Sequence, residues 1–433
     1  MNNTINDNIQ CNSVEKRNIP PLKNFKLMVL GQIISILGSS LLRFALSLFV
    51  LDKTGRADVF ATLFAISNIP LLLGPFGGAI ADRFNRKNLM VIYDFCSGTI
   101  VFCLFLLLLT GNTSIVVIGI IMILLSAISA MYNPTVSASV PLLVEEKKIE
   151  SSNGIVMAVQ SLAMVSAPII GSLLYSAIDF NILILVCSIL FILSAIMEIF
   201  IDIPFSKTRE KGHIIHTTIS DLKSGFIYVV KEPYIYKSVL FAMALNLIVT
   251  PLLVIATPTI LRLVMGSTET MYGLGMGLIN FATVVGALTV GIFARKLHFN
   301  RVYRWVLVMS VMFLPIAVSI LPSVLKFGYL PAFSIFMLGA VPLSAMIQIL
   351  SIFVVSKVQK QTPNEMLGRV MSIMIAGAQC STPIGQIICG NILETFSGNF
   401  YLPVLFICGI MIIISVITKY SFKNIKLNCE GGI

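Results

Sequence analysis

Residues 74–90 read GPFGGAIADRFNRKNLM, and this stretch decides the fold. A long apolar run ends at Gly78. Asp82, Arg83, Arg86 and Lys87 follow, and a second apolar run begins at once. Two membrane-spanning helices joined by so short and basic a turn place that turn on the cytoplasmic side, because positive charge in short loops is retained there. Asn85 stands within the turn and tolerates a left-handed backbone.

The rest of the chain has the composition such a hairpin requires. Of 433 residues, 57% are apolar and 11% charged, and the mean hydropathy is +0.95. Soluble domains carry roughly 25% charged residues, so only a membrane protein fits. Twelve apolar stretches are long enough to cross ~30 Å of hydrocarbon as helices. The strands of a closed barrel would alternate in polarity, and these runs do not. Spans are expected at 27–50, 57–81, 88–110, 114–135, 153–177, 181–201, 238–262, 270–294, 302–322, 330–356, 366–391 and 400–420. An even number puts both termini in the cytoplasm. The polar first twenty residues predict no cleavable signal peptide.

The longest connection, 202–237, divides the chain into two halves of six spans. The expected organisation is an N-terminal tail (1–26), a six-helix bundle (27–201), a cytoplasmic central loop (202–237), a second bundle (238–420) and a C-terminal tail (421–433). In the loop, Ile219, Leu222, Phe226, Ile227 and Val230 fall at helical spacing, with Ser220 placed to cap. A surface helix and a plain linker both fit. The halves also repeat. Ser166-Ala167-Pro168-Ile169-Ile170-Gly171 returns as Ser381-Thr382-Pro383-Ile384-Gly385, and Gly78 and Ala81 align with Gly291 and Ala294.

The net charge of +11 does not mark a nucleic-acid surface, because 25 of the 30 Lys and Arg lie in segments assigned to one side. The eight Cys include no CxxC and read as small apolar side chains. His213 and His216 have no acidic or Cys ligand beside them, so no metal site is expected. No Gly-Lys dipeptide occurs, which excludes a P-loop ATPase. Clustered His, Cys or carboxylates of an enzyme are not seen. The two-half organisation argues against a channel built from subunit repeats.

The pattern Gly78-x-x-x-Asp82-Arg83-x-x-Arg86-Lys87 resembles the loop between helices two and three of the major facilitator superfamily, with Asn85 where the family usually has Gly. The wider TLFAISNIPLLLGPFGGAIADRFNRKNLM, with LGRVMSI ahead of span eleven, resembles the macrolide-efflux and siderophore-export branch across about residues 25–422. That resemblance implies an all-α integral membrane fold of 12 transmembrane helices in two pseudo-symmetric six-helix bundles. It also implies secondary active export of amphipathic small molecules by alternating access, as proton antiport in the bacterial cytoplasmic membrane. No cofactor is implied beyond the proton gradient. The partners are a small-molecule substrate and membrane lipid, with no nucleic acid, and a monomer is expected. Two family features are missing. Span four carries no Arg. The Gly-rich span-five signature survives only as Pro168 and Gly171, with Ala163, Ala167 and Ser172 at its other positions. An importer on the same fold and a transport-dead sensor remain open.

Candidate sites follow from spacing. Thr362-Pro363-Asn364-Glu365 has the form of a capping box with Pro at the first helical position. Span eleven would start there and offer its positive end to Asp82 when the halves close. Gly78, Arg83, Arg86, Lys87, Glu365 and Arg369 complete this gate. Pro168, Gly171 and Pro383 are hinge candidates, and static kinks explain the prolines equally well. Gln32, Ser35, Ser39, Arg43 and Ser47 form one polar stripe on span one, which should face protein or water rather than lipid. Arg43 either binds an acidic group or snorkels to the outer interface. Asp94 either carries the coupling proton or pairs with Arg86, and Glu198 reads as interfacial. Gln160, Asn246, Asn280, Gln348 and Gln379 either line the cavity or bond helix to helix. The GxxxG spacings Gly74/Gly78 and Gly273/Gly277 predict close helix contact.

Overall fold

The structure is a computed structural model and describes residues 22–111, 114–204, 214–294 and 301–422. The expected terminal tails lie almost wholly outside this range, as do His213, Arg295 and Lys296. The described residues are helical, with no strand among them. Eleven helices are long and apolar enough to cross a membrane, and a shorter apolar stretch, Ala57–Leu73, accompanies them.

The first span, α1 (Leu22–Thr54), is one unbroken run. The second is broken. Helix α2 (Ala57–Asn68) passes into a 3-10 turn, Ile69–Leu73, and resumes as α3 (Gly74–Arg83). This corrects the expectation of a single helix over 57–81. Pro70 and Pro75 lack the N–H groups that would bond back one turn, so the ladder tightens between them. Helix α4 (Arg86–Leu109) follows, and Asn85 caps it by accepting from the Asn88 N–H. Asn85 is extended there, so the left-handed turn does not form. Next come α5 (Ile115–Leu143), α6 (Ile149–Ala177) and α7 (Phe180–Ile199).

The central loop holds a helix, α8 (Ile214–Lys231). It starts six residues ahead of Ser220, so that residue does not cap it. Phe226, Ile227 and Val230 are exposed along one side. The second half opens with α9 (Pro233–Pro251). Two π-turns, Leu252–Ala256 and Ile260–Val264, flank the short α10 (Thr257–Thr259). The wider turns absorb Pro251 and Pro258 without ending the span. There follow α11 (Glu269–Ala294), α12 (Val302–Ser319), the short α13 (Pro322–Leu325), α14 (Tyr329–Gln361), α15 (Asn364–Thr395) and α16 (Tyr401–Phe422). Helix α15 starts one residue later than expected. The Thr362 hydroxyl donates back to the Val358 carbonyl at 2.7 Å and finishes α14, so it caps nothing.

Within each half the helices pack as a bundle: α1 on α6 and α7, α4 on α7 and α5, α12 on α14 and α16, α9 on α15. The repeated proline motif falls at the same place in both. Gly171 on α6 admits the Phe44 ring of α1, and Gly385 on α15 admits the Leu247 carbonyl of α9. Both helices run unbroken through Pro168 and Pro383. The halves meet along two pairs, α2 with α15 and α6 with α11. Far from the Asp82 turn these pairs touch closely: Gly390 lies against Ala61, Gly273 against Ser172 and Gly277 against Ile169. Nearer that turn, a Cβ added at Gly78, Gly154, Gly291 or Gly368 would meet no described atom of another element within 4 Å. The two bundles are therefore closed at one end and parted at the basic end. In span two the close contact is made by Gly77 against Met131, not by the Gly74/Gly78 pair.

Candidate transport site

The polar stripe of α1 divides between a cavity and the protein interior. A cavity of about 620 Å³ lies inside the first half, and Ser35, Ser39 and Arg43 of α1 line it with Asp94, Tyr132 and Gln160. Sites of roughly 300–1,000 Å³ hold small-molecule ligands. Gln32 does not line it. Its side chain is fully buried, because α1 packs tightly on α7 there. A second cavity of about 410 Å³ lies in the other half, lined by Asn246, Thr250, Gln348, Gln379 and Thr382. The equivalent elements α1 and α9 therefore each present polar side chains to an internal space.

Arg43 is exposed on the cavity wall and does not snorkel. Its Nη2 donates to Asn68 Oδ1 at 2.9 Å, and its guanidinium stands 5.3 Å from the Phe64 ring centre. Asn68 passes the contact on, donating from Nδ2 to Gln386 Oε1 at 3.1 Å. Gln386 belongs to α15, so this chain joins the two halves. Asn68 sits where α2 gives way to the 3-10 turn, and that break aims its amide at both partners. Among the described residues Arg43 is in no ion pair. A guanidinium carries five N–H donors, and most of these remain for a ligand in the cavity.

Asp94, on α4, is buried in the same wall. Its Oδ1 accepts from the Ser35 hydroxyl at 2.7 Å. Arg86 is not its partner among the described residues: Asp94 Oδ2 has none, and Arg86 Nε donates to the Ala81 carbonyl at 3.0 Å. Glu198 is not interfacial. It is fully buried, and its Oε1 accepts from the Tyr132 hydroxyl at 2.8 Å. Nearness to the end of α7 is what makes Glu198 look interfacial in the sequence. The covering residues come from α1 and α5, which spacing along α7 cannot show. Asn280 bonds helix to helix, donating to the Met164 carbonyl of α6 at 2.9 Å. Asn246 donates to Ala242 of its own helix at 3.0 Å.

The candidate gate residues lie apart from this cavity. Asp82 is on the last turn of α3 and Glu365 on the first turn of α15, and their side chains lie outside the described residues. Arg369 follows one turn along α15, where the α8 backbone at Gly225 approaches its carbonyl.

At the opposite end, charged groups bridge the halves. Arg262 donates to both oxygens of Asp52, at 3.0 and 2.7 Å, and reaches Glu269 at 3.3 Å.

A family model described as the Major Facilitator Superfamily matches residues 28–362. The chain belongs to the Major Facilitator Superfamily. It is a multi-pass membrane transporter, and its fold and relatives are those of transporters rather than enzymes. Macrolide efflux protein A of Streptococcus pyogenes is 23% identical over 428 residues, covering 95% of this chain and 100% of that protein. Among solved structures, the nucleoside transporter NupG superposes with a TM-score of 0.73 at 11% identity, covering 92% of this chain and 99% of that one. A bacterial homologue of the iron transporter ferroportin in its inward-facing state superposes at 0.69 with 16% identity, covering 92% and 99%. These two likenesses concern the fold. In this facilitator the break in span two and the Arg43–Asn68–Gln386 chain place a cation and an interbundle contact at one point.

Proposed function

We propose that this facilitator exports amphipathic small molecules rich in hydrogen-bond acceptors, of the macrolide kind, in exchange for protons. The observation that carries this reading is Arg43, a cation in the wall of a 620 Å³ cavity with no acid paired to it among the described residues. Such a side chain offers donors to carbonyl, hydroxyl or carboxylate oxygens of a ligand. Serines and Gln160 add neutral hydrogen-bonding groups, and Leu42, Leu46, Met122 and Phe191 add apolar wall. Asp94 supplies an acid in the same wall for proton exchange. The full-length similarity to a macrolide efflux protein supports the choice of substrate class.

Positive-inside placement puts the basic end, with both termini, in the cytoplasm of a bacterial cell. The bundles are parted at that end, so the described conformation takes substrate from inside. The outward form would then follow by rocking of one bundle on the other about the cavity.

The test is accumulation of erythromycin in an efflux-deficient strain. Cells making the protein should hold less drug than controls, and a protonophore should abolish the difference. Raised accumulation would replace export with import. Binding without any movement of drug would make the protein a sensor.

A further inference from the structure

One buried acid, Glu198, does not line the substrate cavity. Glu198 rests on Gly31 of α1, where a Cβ would stand 3.3 Å from its Cγ and 3.8 Å from its Oε1. Ser35, one turn further along the same face, holds Asp94 at 2.7 Å. The two carboxyls therefore meet α1 one helical turn apart, about 6 Å at 1.5 Å per residue. Along α1, Gln32 lies between Gly31 and Ser35 and is fully buried. Among the described residues, buried atoms without a partner gather here: Glu198 Oε2, Asp94 Oδ2, and both amide atoms of Gln32.

Around Glu198 stand Gly31 of α1, Asp94 of α4, Tyr132 of α5 and Ser194 of α7 itself. Arg43 lies two turns beyond Ser35 and is held by Asn68. Among the described residues neither acid is in an ion pair. An ionised pair without a cation is costly in such surroundings, and a half-satisfied network gives no reason to keep two carboxyls side by side. Acids that face a bundle interior mark proton pathways.

We infer that Glu198 is a second proton-binding residue of the transport cycle, reached from the cavity through the Tyr132 hydroxyl. Tyr132 lines the cavity and donates to Glu198 at 2.8 Å, whereas Glu198 itself touches no cavity surface. Ser35 sits beside the same phenol. The transfer balances as a relay. The Tyr132 O–H bond breaks as its proton joins Glu198. With Asp94 first protonated from the cavity, the Ser35 hydroxyl turns to give its proton to the phenol oxygen and takes one back from Asp94, reversing the bond seen between them. Unloading runs the same steps backward, and the net change is one proton moved from Asp94 to Glu198.

The inference rests on the proton-exchange reading above, and the experiment separates the two. Infrared difference spectra of the reconstituted full-length protein, recorded across a pH step, report carboxyl C=O bands directly. Two bands are expected, one lost in Glu198→Gln and the other in Asp94→Asn. Tyr132→Phe should move the Glu198 band, since it removes that hydrogen bond. This reading needs no transport, so it stands even if erythromycin proves not to be carried. In proteoliposomes loaded with erythromycin, Glu198→Gln should lower proton-driven movement about tenfold, and exchange at equal pH by much less. A spectrum unchanged in Glu198→Gln overturns the inference. If that variant fails to fold, a Glu198 band that ignores Tyr132→Phe overturns it equally. Proton-driven movement and exchange falling together would make Glu198 a packing residue and overturn it too.

Discussion

The backbone N–H of Ala57, at the start of α2, donates to Oε2 of Glu394 on the last turn of α15, 3.1 Å away. A carboxylate at a helix N-terminus is favoured by the unpaired N–H groups there, by ~0.3–1 kcal/mol when exposed and up to ~2 when partly buried. The contact joins the two halves at the closed end. It is the inverse of the arrangement expected at the basic end, where Asp82 of span two would meet the start of α15. Here the acid is on α15 and the helix start is on span two. Glu394→Ala should loosen the closed end and raise the outward-open fraction, by up to about tenfold for 1.4 kcal/mol. Spin labels at Asp179 and Lys326, on a cysteine-free background, would read this as a longer distance. An unchanged distribution would remove Glu394 from the latch.

Arg262 and Asp52 form a second link across the same end, and its form is bidentate. Exposed ion pairs contribute ~0.2–1 kcal/mol, and a fork-to-carboxylate geometry lies at the upper end. Asp52→Asn should therefore raise the outward-open fraction by up to about fivefold, on the same spin-label distance. The exchanged pair, Asp52→Arg with Arg262→Asp, should recover part of the wild-type distribution. Glu269 would still face the exchanged Asp, so recovery should be incomplete. If the exchanged pair behaves as the sum of its single variants, the two residues are not coupled.

The span count and the basic turn were legible because both depend on local composition. Polarity set α1 apart as well, and Ser39, Arg43 and Ser35 do reach the cavity wall. Spacing could not show that Gln32 turns into the α1–α7 contact, since one helical turn separates cavity from core there. The fracture of span two had a signal in Pro70 and Pro75, five residues apart, which apolar content concealed. Glu198 and Tyr132 are 66 positions apart, and Asn68 and Gln386 are 318 apart. Such pairings arise only when helices pack, so no window along one helix contains them.

Arg43 and Asn68 should separate two roles. Arg43→Lys keeps the charge and loses the planar fork, which matters where several acceptors are bound at once. Asn68→Ala leaves the charge and removes the amide that holds it. It also deprives Gln386 of a buried partner, at ~1–3 kcal/mol for an unsatisfied group. Erythromycin efflux should fall about tenfold in Arg43→Lys through weaker binding, seen as a raised KM. In Asn68→Ala the spin-label distance should change as well, because the interbundle chain is cut. Equal KM in wild type and Arg43→Lys would move the binding site away from this arginine.

Asp82 stands at the basic end. It lies on the last turn of α3, and one turn earlier a Cβ added at Gly78 would meet no described atom of another element within 4 Å. The partner expected for it is the start of α15, a contact that closing that end would make. Asp82→Asn should then destabilise the outward-open form, in which that contact would form. Loss of a helix-end contact of ~1–2 kcal/mol shifts the balance five- to thirtyfold, by about a factor of ten per 1.4 kcal/mol. A cysteine at Ser137, exposed in the cavity wall, offers the measurement. A membrane-impermeant thiol reagent applied to inside-out vesicles should label it faster in Asp82→Asn than in wild type. Efflux of erythromycin should fall in step with that change. Labelling and efflux both at wild-type rates would leave the Asp82 turn with no part in gating and only its charge neighbours to orient the chain.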